Sequence, residues 1–521
     1  MQKILWADDE IEILQAHVLF LREKGYEVVT VTNGDDAVYQ VKNNQYDIVL
    51  VDEMMSGKDG LTTLNEIKDY SPQLPVIMIT KNEEESLMEE AIGKRIDDYL
   101  TKPVNPSQIL MACRKLLDKK DIITEKRSQQ YARELAQISA SLMKPLSAQD
   151  WIDYTLKFFR MDMDLDSTTD TDYRQILYDH RNEINKEFGK FIERNYAGWV
   201  AETNASKRPV FSVDIVNNYL IPEIKRGNQV IFFVIDCMRT DQFFSIESFF
   251  YDDFRVQKDY YYSILPTATP FSRNAIFSGL FPHEIEKKYP ELWSLNEDDE
   301  SLNRYERELL ELQLQRSGLN LKNDLKYVKI MNNEDIKNLE KNMHNYLDSK
   351  LLAIVVNFVD ILAHRRSDLP ILKDIVPDEA AYRSLTRSWF QHSPMLGLFK
   401  QIAETNALTF LTSDHGSIRG LHGTKVIGDR ETSTNLRYKY GRSLKADRKH
   451  AIYIKDPYEW KLPKRGINTS YIIAKEDYYF VYPTNYNKYL SYYKDSFQHG
   501  GVSIEEIILP IVKLESKKII R

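Results

Sequence analysis

Short apolar runs separated by amphipathic stretches dominate the first 120 residues. Ile4–Ala7, Glu27–Val31, Asp47–Val51 and Pro75–Ile79 have the length and composition of buried strands. Ile11–Lys24, Asp35–Asn43, Leu61–Lys68 and Glu83–Ile92 repeat apolar residues at helical spacing. A fifth strand precedes Lys102, and a last helix covers about 106–118. This alternation predicts a doubly wound, flavodoxin-like parallel sheet. Over 121–205 the strand signals vanish, and Asp121–Leu142, Ala148–Arg160 and Tyr173–Tyr196 read as charged helices. In the last of these Leu177, Ile184, Phe188, Phe191 and Ile192 fall on one face, which predicts a helical bundle serving as a linker. The acidic, Thr/Ser-rich stretch Met161–Asp172 reads as a loop. From 206 strand runs return at Val230–Ile235, Tyr327–Met331, Leu351–Phe358, Thr409–Thr412, Tyr478–Tyr482 and Ile507–Val512. They predict a second, larger α/β unit over 206–521.

Composition sharpens this three-segment reading. A 521-residue chain with 42% hydrophobic residues can bury a sizeable core and is not a disordered tail. Its two cysteines, Cys113 and Cys237, exclude a disulfide framework and a cysteine-rich zinc cluster. No apolar run approaches the ~20 residues needed to span a bilayer, and the polar start offers no signal peptide. The expectation is a soluble, cytoplasmic protein without membrane insertion. The net charge of −8 has an address: residues 1–120 hold 14 Lys or Arg against 22 Asp or Glu, leaving 56 of each sign beyond. Overall acidity therefore does not argue against an anionic substrate for the C-terminal segment.

Asp8 and Asp9 follow the first predicted strand and Asp52 follows the third, so all three belong to one carboxyl edge of the sheet. Three clustered carboxylates repel and call for a hard cation such as Mg²⁺. Thr80 ends the fourth strand and Lys102-Pro103 follows the fifth. A carboxylate nucleophile, a cation, a hydroxyl and an ammonium suit phosphoryl capture on Asp52. Residues 1–120 resemble the receiver domain of two-component response regulators through Ala7-Asp8-Asp9-Glu10, Val51-Asp52-Glu53-Met54-Met55, Ile79-Thr80-Lys81 and Tyr99-Leu100-Thr101-Lys102-Pro103. The resemblance implies that Asp52 is the phosphoacceptor, that Asp8 and Asp9 hold Mg²⁺, that Thr80 and Tyr99 form a switch pair, and that Lys102 contacts the phosphoryl group. Ser56 departs from the pattern, since the family usually has proline there.

In the C-terminal segment Val234-Ile235-Asp236, Asn357-Phe358-Val359-Asp360 and Leu411-Thr412-Ser413-Asp414-His415 each end a predicted strand in ligand-type side chains. His364 lies four residues beyond Asp360, Leu265-Pro266-Thr267-Ala268-Thr269-Pro270 presents two hydroxyls, and Gln498-His499-Gly500-Gly501 adds a histidine. Asp and His sets suit Zn²⁺ or Mn²⁺ and could build a two-metal site for phosphoryl chemistry. Their order and spacing resemble the PglZ branch of the alkaline phosphatase superfamily across 206–521. That resemblance implies two Zn²⁺ ions. One would be bound by Asp236, Asp414, His415 and a nucleophile Thr269, preferred over Thr267, and the other by Asp360, His364 and His499. Arg273 and Asn274, just downstream, are candidates to bind the non-bridging phosphoryl oxygens.

Between 437 and 449 six Lys or Arg stand against one acid, Asp447, with tyrosines interleaved. The stretch reads either as a solvated charged loop or as a track for a phosphate backbone and its bases, with Arg437, Lys439 and Arg442 as contacts. A receiver, a helical linker and a PglZ-type domain in this order resemble response regulators associated with control of type IX secretion. The resemblance implies a zinc phosphodiesterase acting on cyclic or linear oligonucleotides, phosphorylation-dependent homodimerisation, a sensor histidine kinase and a partner sigma factor. A signalling scaffold with a structural metal domain is the alternative, as is hydrolysis of monoesters.

Overall fold

The computed structural model describes residues 2–72, 74–81, 96–117, 144–166, 171–293, 303–361, 376–429 and 432–518, the side chains of 171–173 excepted. The expected helices Glu83–Ile92 and Asp121–Leu142, and the expected ligand His364, lie outside the described residues. The chain divides into two compact units, Met1–Ala136 and Gln137–Arg521.

The first unit contains five parallel strands, β1 Lys3–Ala7, β2 Glu27–Val31, β3 Ile48–Asp52, β4 Val76–Thr80 and β5 Asp98–Thr101, in the order β2-β1-β3-β4-β5. This is the flavodoxin-like doubly wound sheet. Alternate strand residues serve opposite layers. Ile4, Trp6, Leu50, Ile77 and Ile79 pack with Val18, Leu21, Ile109 and Cys113, whereas Leu5, Val49, Val51 and Met78 pack with Ala37, Val41, Leu64 and Ile67. Asn33 and Asp59 cap the helices Gly34–Asn43 and Gly60–Tyr70 by accepting from Asp36 N–H and Thr62 N–H. The first helix starts at Gln15 rather than at Ile11, because a turn comes first in which Asp8 accepts from Glu10 N–H.

The second unit begins its strands with β6 Val230–Ile235, β7 Phe254–Tyr262, β8 Leu325–Ile330, β9 Leu351–Val356 and β10 Leu408–Thr412. Small sheets follow, pairing β11 Ile418–Gly420 with β17 Ser496–Gln498 and β12 His422–Lys425 with β16 Tyr478–Val481. A third joins β13 Tyr438–Gly441, β15 Ser470–Ala474 and β14 Ala451–Ile454. β18 Ile508–Ser516 returns to the main sheet, whose order is β7-β18-β10-β6-β9-β8. β10, β6, β9 and β8 are mutually parallel, and β18 runs antiparallel to both β10 and β7. The run expected at Tyr478–Tyr482 is a strand, but it lies in a small sheet and not in the main one.

All six side chains of both β6 and β9 are buried, as central parallel strands require. At roughly 1.5–3 kcal/mol per large apolar side chain, burying β6 contributes on the order of 10 kcal/mol. That is enough to carry the carboxylate that follows it into the interior. The helices Ala148–Asp164 and Thr171–Ala201 of the expected linker are packed into this same unit. The Trp151 ring lies 5.1 Å from that of Phe188, Tyr262 Oη donates to Ala148 O at 2.7 Å, and Leu265 N–H donates to Tyr196 Oη at 2.8 Å. The face predicted from Leu177, Ile184, Phe188, Phe191 and Ile192 is buried throughout.

Candidate functional site

At the carboxyl edge of the first sheet, Asp8, Asp9 and Asp52 bring one carboxylate oxygen each to within 4.8 Å of one another. Lys102 Nζ donates to Asp52 Oδ2 at 2.8 Å and to Asp8 Oδ2 at 3.2 Å. Burial pushes the Asp52 carboxyl above its ordinary range; the Lys102 hydrogen bond opposes this, and the charges of Asp8 and Asp9 reinforce it. Burial alone would lower the Lys102 ammonium, but its two carboxylate partners outweigh burial and hold it above the ordinary value. Three carboxylates against one ammonium suit a hard divalent cation. The buried Thr80 hydroxyl donates to Glu53, a residue that the sequence reading quoted but gave no role, and Tyr99 stands 43% exposed. At Ser56, both the N–H and the Oγ donate to Asp9 Oδ2, at 3.2 and 3.1 Å. A proline could make neither bond.

In the second unit Asp236 follows β6, Asp360 lies beyond β9, and Asp414 and His415 follow β10. These three strands are adjacent and parallel, so their carboxyl ends share one edge. Asp236, Asp414 and His415 are buried, with one ligand atom each within 4.8 Å of the others. Thr269 opens the helix Thr269–Ser278. Its Oγ1 lies 2.9 Å from His415 Nε2 and 3.3 Å from Asp236 Oδ1. His415 Nδ1 lies 3.1 Å from Gly416 O, a carbonyl that can only accept. Nδ1 therefore carries a proton, and Nε2 faces Thr269 and Asp236. One hydroxyl proton cannot satisfy both neighbours. Asp414 Oδ2 is buried without a hydrogen bond, and burial pushes the Asp236 carboxyl up to about 7, opposed by Arg273 and reinforced by Asp414 and Asp360. Acceptors outnumber donors, which is the chemistry of a cation site. His499 extends it, its ring stacked on His415 at 4.3 Å and its Nε2 3.5 Å from Asp360 Oδ1.

Backbone geometry sets these ligands. Cys237, next to Asp236, takes a left-handed conformation at φ 64°, and its N–H donates to Asp414 Oδ1 at 3.2 Å. Thr267 is not beside the carboxylates: its Oγ1 donates to Gly501 O at 2.8 Å and accepts from Gly500 N–H at 3.1 Å, tying down the loop after His499.

Four expected substrate contacts need correction. Arg273 is buried and donates to Asp236 Oδ2 at 2.7 Å and Glu306 Oε1 at 2.6 Å, so it holds a metal-type ligand and is not presented to a substrate. Asn274 is also buried, its side chain donating to Pro270 O at 2.9 Å, while Asn303 reaches Thr269 O at 3.1 Å. Arg437, immediately before β13, is buried against Glu506 at 2.6 Å, because a buried guanidinium needs its charge paired. Lys439 is buried in β13, with Nζ donating to Ser433 O at 2.9 Å. Arg442 is exposed.

Sequence reasoning missed Glu306, Asn303 and Tyr327, whose hydroxyl donates to Glu306. For Glu306 a signal existed: it shares a helical face with Leu309, Leu310 and Gln313, all buried. Asn303 and Tyr327 carry none.

Three family models match along the chain. They are the response regulator receiver domain over residues 4–114, the PorX response regulator linker domain over 121–200, and the BREX system PglZ alkaline phosphatase-like domain over 215–514. The transcriptional regulatory protein SrrA of Staphylococcus aureus is 29% identical over 133 residues, covering 26% of this chain and 55% of SrrA. The chain thus spans about half the length of the curated relatives it matches. Similar solved structures include a response regulator receiver domain protein from Clostridium thermocellum, at 30% identity, 24% of this chain, 99% of that chain and a TM-score of 0.22. The response regulator TrrA from Thermotoga maritima, in complex with Mg(2+)-BeF, is 30% identical over 22% of this chain and 100% of its own, with a TM-score of 0.21.

Proposed function

The chain belongs to the family of the BREX system PglZ alkaline phosphatase-like domain, carried behind a response regulator receiver and a PorX-type linker, and from this we propose a phosphorylation-controlled, zinc-dependent phosphodiesterase acting on cyclic or linear oligonucleotides. The family match supports a hydrolase of the alkaline phosphatase superfamily, and the receiver implies a sensor kinase as its partner. No helix among the described residues is long and apolar enough to cross a membrane. The finer reading comprises phosphorylation at Asp52 with Mg²⁺ at Asp8 and Asp9, a phosphorylation-dependent homodimer, a sigma-factor partner, a cytoplasmic setting and a link to type IX secretion. In domain terms it is a receiver over 1–120, a linker over 121–205 and an effector over 206–521.

The observation that carries the catalytic reading is the Thr269 hydroxyl, 2.9 Å from the buried Nε2 of His415 and 3.3 Å from Asp236. Asp236, Asp414, His415 and Thr269 would hold one zinc ion, and Asp360, His364 and His499 the other. When bound, such ions lower the pKa of a coordinated hydroxyl and polarise a phosphoryl oxygen. Thr269 Oγ1 attacks phosphorus, the bond from phosphorus to the leaving oxygen breaks, and water then displaces Thr269 in a second step. The helix N-terminus at Thr269 favours the oxyanion that attacks.

The test is hydrolysis of bis(p-nitrophenyl) phosphate, p-nitrophenyl phosphate and short oligonucleotides with zinc present. Diesters should outpace the monoester, and Thr269→Val should lower the diester rate by at least ~10³-fold. An inactive wild type, or a fully active Thr269→Val, would sink the enzyme. The burial of Arg437 and Lys439 favours one rival, a signalling scaffold whose metal domain is structural. Under that rival Thr269→Val leaves signalling intact.

A further inference from the structure

The metal-type ligands of the second unit lie within the PglZ match, whereas the helix Thr171–Ala201 lies outside it. Yet side chains of that helix reach the segment that packs against the loops carrying His415 and His499. Asn185 is buried; its Oδ1 accepts from Ile504 N–H at 2.9 Å and its Nδ2 donates to Glu505 Oε2 at 3.0 Å. Both groups of the amide are thus spent on the first two residues of the short helix Ile504–Ile507. Arg181, one turn earlier, lies 3.7 Å from Glu505 Oε1 and donates to Asp162 of the preceding helix at 2.6 Å. Burial raises the Glu505 carboxyl, with Arg181 and Arg239 opposing.

Glu505 in turn packs against Gly416, the residue after His415. A Cβ at Gly416 would collide with the Glu505 carbonyl oxygen, so the two chains are in backbone contact there, and Gly416 N–H donates to Glu506 O at 3.1 Å. Gly416 O is the acceptor that faces His415 Nδ1. On the other side the Glu506 side chain takes Gly501 N–H at 2.8 Å and Ser503 Oγ at 2.9 Å, closing the loop that begins at His499. Packed interiors pass small displacements on because little free volume absorbs them.

We propose that Asn185 is a positioning residue for the metal centre, holding the 504–506 segment so that His415 and His499 keep their ligand geometry. The linker helix then belongs to the metal site as well as to the chain's connectivity. This rests on the metal-centre reading above.

Titration of the full chain with Co²⁺ tests it, read by the visible d–d absorption and by competition with a chromogenic chelator. Asn185→Ala should weaken Co²⁺ binding about 10-fold, as loss of outer-shell support does, and should change the band shape. Asn185→Asp keeps the acceptor for Ile504 N–H but loses the donor to Glu505, so it should also bind weakly. Asn185→Asp with Glu505→Gln reverses the donor and restores the bond; its affinity should return to within about threefold of wild type. Should Asn185→Ala fail to fold, this exchange pair decides alone. Wild-type affinity and spectrum in Asn185→Ala or Asn185→Asp, or no recovery in the double variant, overturn the proposal. A wild type that binds no Co²⁺ overturns the metal centre itself, and this role with it.

Discussion

The receiver pocket and the buried centre each gather metal-type ligands at the carboxyl edge of a parallel sheet, but they balance charge in different ways. In the receiver the Lys102 side chain, 16% exposed, bridges Asp52 and Asp8 through its ammonium. In the second unit Arg273 is locked from behind: Glu306 takes its Nε, Tyr327 donates to Glu306, and only then does the guanidinium reach Asp236. A lysine on a flexible stem can re-aim as a phosphoryl group arrives. A guanidinium wedged between buried carboxylates cannot. The contrast matches a pocket whose charge is meant to change against a centre whose ligands must stay put.

The largest test removes each cation. Arg273→Met strands Glu306 and Asp236 in the interior, and breaking a buried pair this way costs about 3–5 kcal/mol. Lys102→Met leaves the buried Asp8 and Asp52 carboxylates without their ammonium, but the partly exposed site should limit the cost to about 1–3 kcal/mol. Hydrogen–deuterium exchange read separately over each unit checks both. Equal losses would erase the contrast.

Lys439 supplies a third arrangement, a buried ammonium that no carboxylate pairs with among the described residues. It has only Ser433 O and the Tyr482 ring, 4.8 Å away. Burial pulls its pKa down to about 7. The unfolded chain, with an ordinary lysine near 10.4, then binds more protons than the folded chain between about pH 7 and 10. Stability should therefore rise with pH across that window. Lys439→Met should stabilise the second unit by on the order of 4 kcal/mol at pH 7, a gain that fades by pH 10. Urea midpoints of both proteins across that range measure it, and a pH-independent difference would refute the buried-charge account.

The same contrast explains what could be read from the residues alone. Receiver chemistry sits in strand-end motifs of one small alternating sheet, so periodicity placed Asp8, Asp9, Asp52, Thr80 and Lys102 on one edge. The metal-type side chains Asp236, Asp360, Asp414 and His415 were legible for the same reason, following the apolar runs of β6, β9 and β10. Their supports were not. Glu306 alone carried a faint signal, its helical spacing from Leu309, Leu310 and Gln313, whereas Asn185 looks like a linker polar residue, and Glu505 and Glu506 the surface of a helix, until packing buries them. The basic run at 437–449 misled in the opposite sense. Arg437, just before β13, and Lys439 within it are both buried, and composition alone cannot show that every position of β13 is buried. β7 was missed because its polar alternation, Phe254 to Tyr260, resembles a loop when one face is solvated.

The smallest expected effect concerns Asp52. Its folded pKa is raised, so at neutral pH the ionised carboxyl opposes folding, and protonation as pH falls through the folded value removes that opposition. Asp52→Asn keeps the shape and an acceptor for Lys102 while removing the charge. Without magnesium it should raise the receiver's melting temperature by about 2–5 °C, roughly 1 kcal/mol for a unit of this size. Millimolar Mg²⁺ should stabilise the wild type more than the variant and close that gap, because the cation does for three carboxylates what the substitution does for one. The variant should also lose uptake of phosphate from acetyl phosphate, read as a gel mobility shift. A melting temperature that Mg²⁺ moves equally in both proteins would mean that Asp52 does not share the cation. The receiver's charge would then be balanced by Lys102 alone, as Asp236 is by Arg273, and the two centres would differ in exposure only.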